Sequence, residues 1–485
     1  DSVASREEIK KYNSSLDQWE CSNGFMINEE NGLLSIDSYE TTTIFILDKL
    51  LKYSKMSNRG QKEANLRYLR QCNINFEDPL KKVALQKLFV NSQVMLIYGA
   101  AGTGKTTLIN YISNMMNQSK KLFLTKTHTA LQNLKRRIEN PGLDYDFISI
   151  DSFTKTVTLT DYDIVFVDEC STIDNRTMKM LLEKIDENTL LVLAGDIYQI
   201  ESIDFGNWFY YAKDIIKTDG ANVELLNTWR TDKKELKGLW DEVRKIQPII
   251  TEKLAIDGPF SADIGEEIFV PQDEDEIVLC LNYDGKFGLN NMNLYFQNAN
   301  TKSQVYTWAE WTFKVGDPVI FLDTKRSSLL YNNLKGRIVD ISKRDSAILF
   351  TLDIDTILTE RQCRNESFEF VDVTDLGTRI RLEVIANDDE SVAEEERIKT
   401  IIPFQIAYAV SIHKAQGLEY NSVKIIIPSY NAEKISHSIF YTAITRAKEK
   451  LKIFWSAETM KTVVESFDKE KNGQRTLELI EEKLK

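Results

Sequence analysis

The chain has 485 residues, of which 42% are hydrophobic and 28% are charged, and its formal net charge is −13. A chain of this length favours several domains, and its composition is that of a globular protein. The negative charge excludes a protein that coats nucleic acid with a uniformly basic surface, so any polyanion site must be a local basic channel. No apolar run approaches the roughly 20 residues that cross a bilayer, so we expect no membrane partner.

The five cysteines are scattered without a C-x-x-C pair, which predicts a reducing, cytoplasmic location. The first five residues, DSVAS, lead straight into charged and polar sequence, so we expect no signal peptide. Apolar residues at helical spacing in 42–53 and 62–69 predict a helical N-terminal region. The sequence assigns this region no role, and it is a candidate docking site for a protein partner.

The most specific pattern in the chain is GAAGTGKT at 99–106, between an apolar run at 94–98 and a helical pattern from 107. A strand, a glycine-rich turn and a helix in this order form a phosphate loop, whose backbone N–H groups and helix N-terminus bind polyphosphate. Lys105 is predicted to reach the β- and γ-phosphates, and Thr106 to hold Mg²⁺. The nucleotide-binding candidates here are Gly99, Ala100, Ala101, Gly102, Thr103, Gly104, Lys105, Thr106 and Thr107.

Two neighbouring segments complete a predicted nucleotide site. A helix predicted over 80–89 precedes the loop, and its Gln86 could contact an adenine edge, although an ordinary surface glutamine is an equal alternative. The apolar strand 164–167 ends in Asp168 and Glu169, a Walker B pattern. Asp168 can hold Mg²⁺ and Glu169 can polarise the attacking water. ATP and Mg²⁺ are therefore the predicted cofactors.

Later segments continue the alternation of strands and helices that indicates a parallel sheet. Gln199 follows a strand at 190–194 and can sense the γ-phosphate, and Arg230 ends another strand. From 313 to 386 short alternating segments replace the helical period, as in a small antiparallel barrel. The α/β pattern returns at 403.

The ordered motifs resemble those of superfamily 1 helicases, and within them the RecD-like group, superfamily 1B. The series is GAAGTGKT at 99–106, TKTHTA at 125–130, SIDSF at 149–153, VDECS at 167–171, GDIYQ at 195–199, LNTWRT at 226–231, IHKAQGLEY at 412–420 and YTAITRAKEKL at 441–451. The resemblance covers about 80–455. It implies an α/β fold of two RecA-like P-loop motor domains, with an inserted small SH3-like β-barrel and a helical N-terminal region.

The resemblance also implies domain boundaries. These are a helical N-terminal region of unknown role at 1–78, a first RecA-like ATPase domain at 79–270, a second RecA-like domain at 271–313 and 401–456, an SH3-like β-barrel insertion at 314–400, and a C-terminal helical tail at 457–485. ATP is then expected in the cleft between the two RecA-like domains.

The family's functional residues transfer to matching positions of this chain. Lys105, Asp168, Glu169 and Gln199 are expected to act with two arginines, Arg446 as the arginine finger and Arg230 as a cleft arginine that reaches the γ-phosphate. For each arginine, an ordinary surface position is the alternative. The resemblance further implies a nucleotide contact for Gly417 and Glu419, and a single-stranded nucleic-acid track along Thr127, His128, Ser152, Phe153, His413 and Lys414. Packing against a neighbouring strand is the alternative for both histidines.

The predicted function is an ATP-dependent helicase or translocase on single-stranded DNA, with 5′ to 3′ polarity implied by the RecD-like resemblance. One departure bears on unwinding. RecD-like enzymes commonly carry a duplex-splitting β-hairpin between the motifs at 149–153 and 167–171, and here the connection 154–163 leaves little room for it. Two alternatives stay open: an RNA helicase, and a nucleic-acid-stimulated ATPase switch or remodeller with little duplex unwinding.

Overall fold

A computed structural model describes residues 5–485 except 31, 59, 73–75, 77, 156–160, 203, 257, 302, 323–325, 345, 376, 387–398 and 468–471, and for 472–474 it describes the main chain alone. No helix among the described residues is long and apolar enough to cross a membrane. The chain divides into two compact units, Asp1–Arg230 with Asp468–Lys485, and Thr231–Phe467.

The first unit begins with helices and a two-stranded antiparallel hairpin. These are α1 Arg6–Ser15, α2 Gln18–Ser22, β1 Ile27–Glu30, β2 Leu33–Ile36, α3 Asp37–Ser54 and α4 Gln61–Gln71. Helix α3 carries the apolar periodicity predicted near 42–53. Its side chains Ile46, Leu47 and Leu50 are fully buried in the hydrophobic core of the first unit. The N-terminal segment is thus joined to the first unit by a buried apolar helix face.

Alternating helices and strands follow. They are α5 Pro79–Lys87, β3 Val94–Gly99, α6 Lys105–Met115, β4 Lys121–Thr125, α7 His128–Arg137, β5 Tyr145–Ser149, α8 Ile150–Lys155, β6 Ile164–Val167, α9 Asn175–Lys184, β7 Leu190–Gly195, α10 Trp208–Ile215 and β8 Asn222–Leu225. The strands form one parallel sheet in the order β5-β4-β6-β7-β3-β8. The phosphate loop begins at the carboxyl end of β3, and the Walker B residues follow the carboxyl end of β6.

The central strands are buried on both faces because helices cover both sides of the sheet. Side chains alternate along a strand, so Leu96 of β3 packs in one core with α3, α9 and α10. The next residue, Ile97, packs in a second core with α5, α6 and α7. This explains why these strands read as continuous apolar runs rather than as alternating ones.

The second unit has its own parallel sheet and an antiparallel insertion. Its elements are α11 Lys234–Arg244, α12 Ile250–Lys253, β9 Ser261–Ala262, β10 Glu276–Cys280, α13 Leu289–Ala299, β11 Val305–Trp308, β12 Trp311–Lys314, β13 Pro318–Phe321, β14 Lys335–Lys343, β15 Ala347–Ile354, α14 Glu360–Cys363, β16 Glu369–Thr374, β17 Gly377–Ile385, β18 Phe404–Ile406, β19 Ala409–Ser411, β20 Tyr420–Ile426, α15 His437–Ile444, β21 Ala447–Phe454 and α16 Ala457–Ser466. The parallel sheet has the order β19-β10-β20-β21-β9.

The structure assigns 231–270 to the second unit, whereas the sequence places the end of the first domain at 270. Two contacts within the second unit account for this. Strand β9 pairs in parallel with β21, and the Trp240 indole N–H on α11 donates to the Ile444 carbonyl at 3.1 Å. A strand of two residues carries too little pattern for a sequence-based boundary.

The insertion in the second unit is a six-stranded sheet in the order β16-β17-β15-β14-β13-β18, with antiparallel pairing throughout. Its core combines aliphatic side chains with a group of phenylalanines, in which the Phe350 ring lies 5.0 Å from that of Phe313 and 5.1 Å from that of Phe404. Phe404 is in β18, so the sheet is completed by residues beyond the predicted boundary at 400. Such a core allows the insertion to fold as a compact part of the second unit.

The C-terminal tail predicted at 457–485 divides between the two units. Helix α16 belongs to the second unit, whereas the final helix, α17 Asn472–Lys483, belongs to the first. Ile480 of α17 is buried in the first unit's core, and the Lys483 ammonium forms an ion pair with Glu30 of β1 at 2.5 Å. The end of the chain therefore packs beside its beginning.

Candidate active site

The phosphate loop joins β3 to α6 in a conformation that requires glycine. Gly102 and Gly104 have φ of +75° and +84°, a region that residues with a Cβ rarely adopt. The Lys105 ammonium donates to the carbonyls of Gly99 at 2.9 Å and Ala100 at 3.1 Å. The lysine side chain is thus folded over the loop, where it can exchange carbonyl partners for phosphate oxygens.

The Walker B carboxylate lies directly against this loop. The Thr106 hydroxyl donates to Asp168 Oδ2 at 3.0 Å, and Asp168 Oδ1 accepts the main-chain N–H of Glu169 at 2.9 Å. A hydroxyl and a carboxylate side by side are hard oxygen ligands of the kind that Mg²⁺ prefers. The residues present therefore fit a Mg²⁺ ion.

Glu169 has a left-handed main chain, with φ 58° and ψ 42°. A residue with a side chain rarely adopts this conformation, and such strain is often found at functional sites. The conformation ends β6 abruptly and lets Glu169 turn away from the strand direction that Asp168 follows. The two acidic side chains can therefore serve different groups.

Charges from several strand ends converge on Lys105. Burial lowers the pKa of this lysine, and the carboxylates of Asp196 and Asp168 partly oppose that effect. The Gln199 side-chain amide donates to Asp196 Oδ2 at 3.0 Å, so the predicted γ-phosphate sensor is tied to this cluster. Because burial disfavours the charged form of Lys105, a phosphate anion bound beside the ammonium would stabilise that charged form.

Arg230 lies beside the loop as well. A Cβ added to Gly102 would be 2.3 Å from the Arg230 Cβ, and the Trp229 N–H donates to the Gly102 carbonyl at 2.8 Å. The charge of Arg230 also contributes to the lowered pKa of Lys105. The first unit therefore brings together Lys105, Thr106, Asp168, Gln199 and Arg230.

Three further predicted nucleotide contacts, Arg446, Gly417 and Glu419, lie in the second unit. Arg446 is 1% exposed, and its guanidinium donates to the carbonyls of Thr442 at 2.9 Å and Leu418 at 3.2 Å. Gly417 has φ +79°, and Glu419 forms an ion pair with Lys448 at 3.5 Å. Arg446 thus links the helix α15 to the loop that contains Gly417 and Glu419.

The predicted nucleic-acid positions differ in their exposure. Thr127, His128, Ser152 and His413 are exposed, and Lys414 is half-buried, with its pKa lowered by burial. Phe153 is 2% exposed and packs in the first unit's core, because it shares the inner face of α8 with Ile150. Its ring is therefore a core side chain in this structure.

Two lysines that the sequence analysis did not select contact these elements. Lys126 Nζ lies 2.9 Å from Asp151 Oδ1 and 3.2 Å from Asp174 Oδ2, which ties together the motifs at 125–130 and 149–153. Lys81 of α5 places its ammonium against Gly104 of the phosphate loop. Gln86 of the same helix is half-buried, and its main-chain carbonyl accepts a hydrogen bond from the Asn65 side-chain amide at 3.2 Å.

Comparison with known proteins bears on both halves of the chain. The family model described as "AAA domain" matches residues 81–256, and that of the "UvrD-like helicase C-terminal domain" matches 406–453. The RecBCD enzyme subunit RecD of Buchnera aphidicola subsp. Acyrthosiphon pisum is 22% identical over 446 residues, which covers 79% of this chain and 72% of that protein. These matches support the recognition of a superfamily 1 helicase of the RecD-like group made from the motifs, and they indicate an ATP-hydrolysing DNA helicase.

Other relatives of this helicase are similar over a comparable span. RecD of Haemophilus influenzae is 21% identical over 473 residues, covering 82% of this chain and 73% of that protein. A solved structure described as Bacteroides Pif1 bound to ssDNA is 15% identical, with a TM-score of 0.47, and covers 80% of this chain and 94% of that one.

Proposed function

We propose that this helicase moves along single-stranded DNA in the 5′ to 3′ direction and takes its energy from ATP hydrolysis at the phosphate loop. The observation that carries the proposal is the convergence of Lys105, Thr106 and Asp168 at adjacent strand ends, with Thr106 bonded to Asp168 at 3.0 Å. The polarity rests on the resemblance to the RecD-like group.

In this proposal each residue at the loop has one task. Lys105 binds the β- and γ-phosphates, Thr106 and Asp168 hold Mg²⁺, and Glu169 polarises the attacking water. A bound Mg²⁺ would neutralise charge that develops on the phosphate oxygens. Gln199 and Arg230 face the same cluster and would register the presence of the γ-phosphate.

Arg446 is assigned the finger role because of its place in the motif at 441–451. In the structure its guanidinium is held by main-chain carbonyls of its own unit. To stabilise the transition state it must exchange such a bond for a γ-phosphate oxygen, so we expect its contacts to change between nucleotide states. Gly417 and Glu419 belong to the loop that would move with it.

The exposed positions Thr127, His128, Ser152 and His413, with Lys414, form the proposed strand contacts. Thr127 caps α7, with its hydroxyl accepting the Ala130 N–H at 3.2 Å, so its neighbour His128 is the first residue of a helix. A helix N-terminus with an exposed main chain favours phosphate oxygens. Such contacts read the backbone, so binding should be weakly sequence-specific and salt-dependent.

We propose two RecA-like motor domains centred on the two parallel sheets, and an SH3-like barrel formed by the antiparallel insertion. Its six antiparallel strands and separate hydrophobic core support the barrel assignment. The N-terminal region, with its hairpin and helices α1 to α4, remains the proposed docking site for a protein partner. A cytoplasmic location is proposed from the free cysteines Cys21, Cys72, Cys170, Cys280 and Cys363.

The experiment that tests this function measures ATP turnover with single-stranded DNA and with RNA of the same length. We expect stimulation by DNA, and preferential stimulation by RNA would contradict the DNA track. Strand displacement is then measured on duplexes with a 5′ tail and with a 3′ tail. Displacement on the 5′-tailed duplex is expected, and strong ATP hydrolysis without displacement on either tail would indicate an ATPase switch. The residues of the short connection that bear on unwinding, 156–160, lie outside the described part of the chain.

A further inference from the structure

Lys81 occupies a position on α5 where an apolar residue would be expected. The buried residues of this helix are Lys81, Ala84 and Leu85, at the i, i+3 and i+4 spacing of one helix face, and the buried Leu88 follows at the end of the helix. Lys81 is 7% exposed. Lysine is rarely buried to this extent in proteins.

The Lys81 ammonium lies at the start of α6, against the phosphate loop. A Cβ added to Gly104 would be 2.4 Å from Lys81 Nζ and 3.6 Å from the Thr107 hydroxyl oxygen. Gly104, with φ +84°, is the residue that precedes the first turn of α6. The ammonium therefore lies next to the residue at which α6 begins.

The electrostatics of this arrangement favour an anion. The N-terminus of α6 carries partial positive charge, and the structure places two lysines there, Lys105 inside the loop and Lys81 beside it. A polyphosphate bound at this helix start would interact favourably with both ammonium groups and with the helix dipole.

We propose that Lys81 is a second phosphate-binding cation of the nucleotide site and donates to the phosphate chain of bound ATP or ADP from the α5 side of the loop. The inference rests on the proposed nucleotide-binding function of residues 99–106 and adds a residue to it. Gln86 cannot make the same contact, because five residues further along a helix turn the side chain roughly 140° away from that of Lys81.

The test compares Lys81→Met with Lys81→Arg and with Lys82→Ala, whose side chain is exposed on the adjacent position of the same helix. Binding of ADP and of inorganic tripolyphosphate is measured by calorimetry on the full chain. Lys81→Met should weaken both ligands roughly 10- to 100-fold, the range for loss of a hydrogen bond between charged groups. Lys81→Arg should retain most of the affinity, and Lys82→Ala should match the parent protein.

Folding of each variant is checked by its thermal midpoint without ligand. Should Lys81→Met unfold, Lys81→Gln supplies the neutral comparison. Unchanged ADP affinity in a folded neutral variant would overturn the proposal. Loss of ADP binding with unchanged tripolyphosphate binding would also overturn it, since the contact would then be to the base or sugar. If the parent protein binds ADP but its ATP turnover is not stimulated by DNA, the proposed motor function is contradicted. The ADP affinities of the Lys81 variants would still test the phosphate contact.

Discussion

Replacement of Gly102 by alanine tests the contact between the phosphate loop and Arg230. Two costs are expected. The left-handed φ of +75° disfavours a Cβ by about 1–2 kcal/mol, and the new atom would lie 2.3 Å from the Arg230 Cβ and 3.0 Å from its main-chain nitrogen. Since the main chain must shift to relieve that clash, overpacking adds about 1–3 kcal/mol.

A matched control separates the two costs. Gly60 has φ +83° and open space within 4 Å of its added Cβ, so Gly60→Ala incurs the conformational cost alone. In thermal unfolding, Gly60→Ala should lower the first midpoint by roughly 2–8 °C, at about 2–4 °C per kcal/mol for a domain of this size. Gly102→Ala should lower it further.

The functional effect should be larger than the effect on stability. A shift of roughly 1 Å in the Arg230 main chain would misplace its guanidinium and can lower turnover about 100-fold. Gly60→Ala should hydrolyse ATP at the parent rate. Equal midpoints for the two variants, together with normal turnover by Gly102→Ala, would refute the claim that this glycine is needed for the Arg230 contact.

Three further predictions address the site. Glu169→Gln should bind ATP normally but hydrolyse it slowly in a single-turnover assay, and a normal rate would contradict its role at the attacking water. Arg446→Ala should lower ATP turnover more than it lowers ATP affinity, and equal losses of turnover and affinity would count against an arginine finger. A thermal melting curve of the variant shows how much stability is lost with the hydrogen bonds to the Thr442 and Leu418 carbonyls. Asp174→Asn keeps the helix cap but removes the charge facing Lys126. Burial raises the pKa of Asp174, but hydrogen bonding to Thr177 and the charge of Lys126 outweigh burial, so the pKa lies below its ordinary value of 3.8. The charged carboxylate therefore contributes its full stabilisation above that ordinary pKa, and the contribution is lost as the pH falls through the lowered pKa. In urea, the variant should be about 1–3 kcal/mol less stable at neutral pH, with the difference shrinking below about pH 4; a constant difference would refute the ion-pair account.

The phosphate loop and the Walker B pair could be predicted from the sequence because their geometry is local. A strand, a glycine-rich turn and a helix start lie within one short segment, so spacing alone describes the site. The alternation of strands and helices likewise predicts the parallel sheet, since strands buried on both faces read as continuous apolar runs.

What the sequence could not predict depends on packing between distant segments. Lys81 reads as a surface lysine until α5 is placed against the loop at Gly104. Phe153 is the last residue of a motif that suggests the nucleic-acid track, yet the helix face that it shares with Ile150 directs it into the core. The sequence of 472–483 has a helical period, but nothing in that sequence predicts that the helix packs on the first unit beside Glu30.

The measurement that tests the central claim most directly is ATP-driven displacement of streptavidin from biotinylated single-stranded DNA. A motor that moves 5′ to 3′ should displace streptavidin from the 3′ end, and Glu169→Gln should fail to do so while still binding the strand. Displacement from the 5′ end would reverse the proposed polarity. ATP hydrolysis that is stimulated by DNA, without displacement from either end, would contradict the account of a translocating motor.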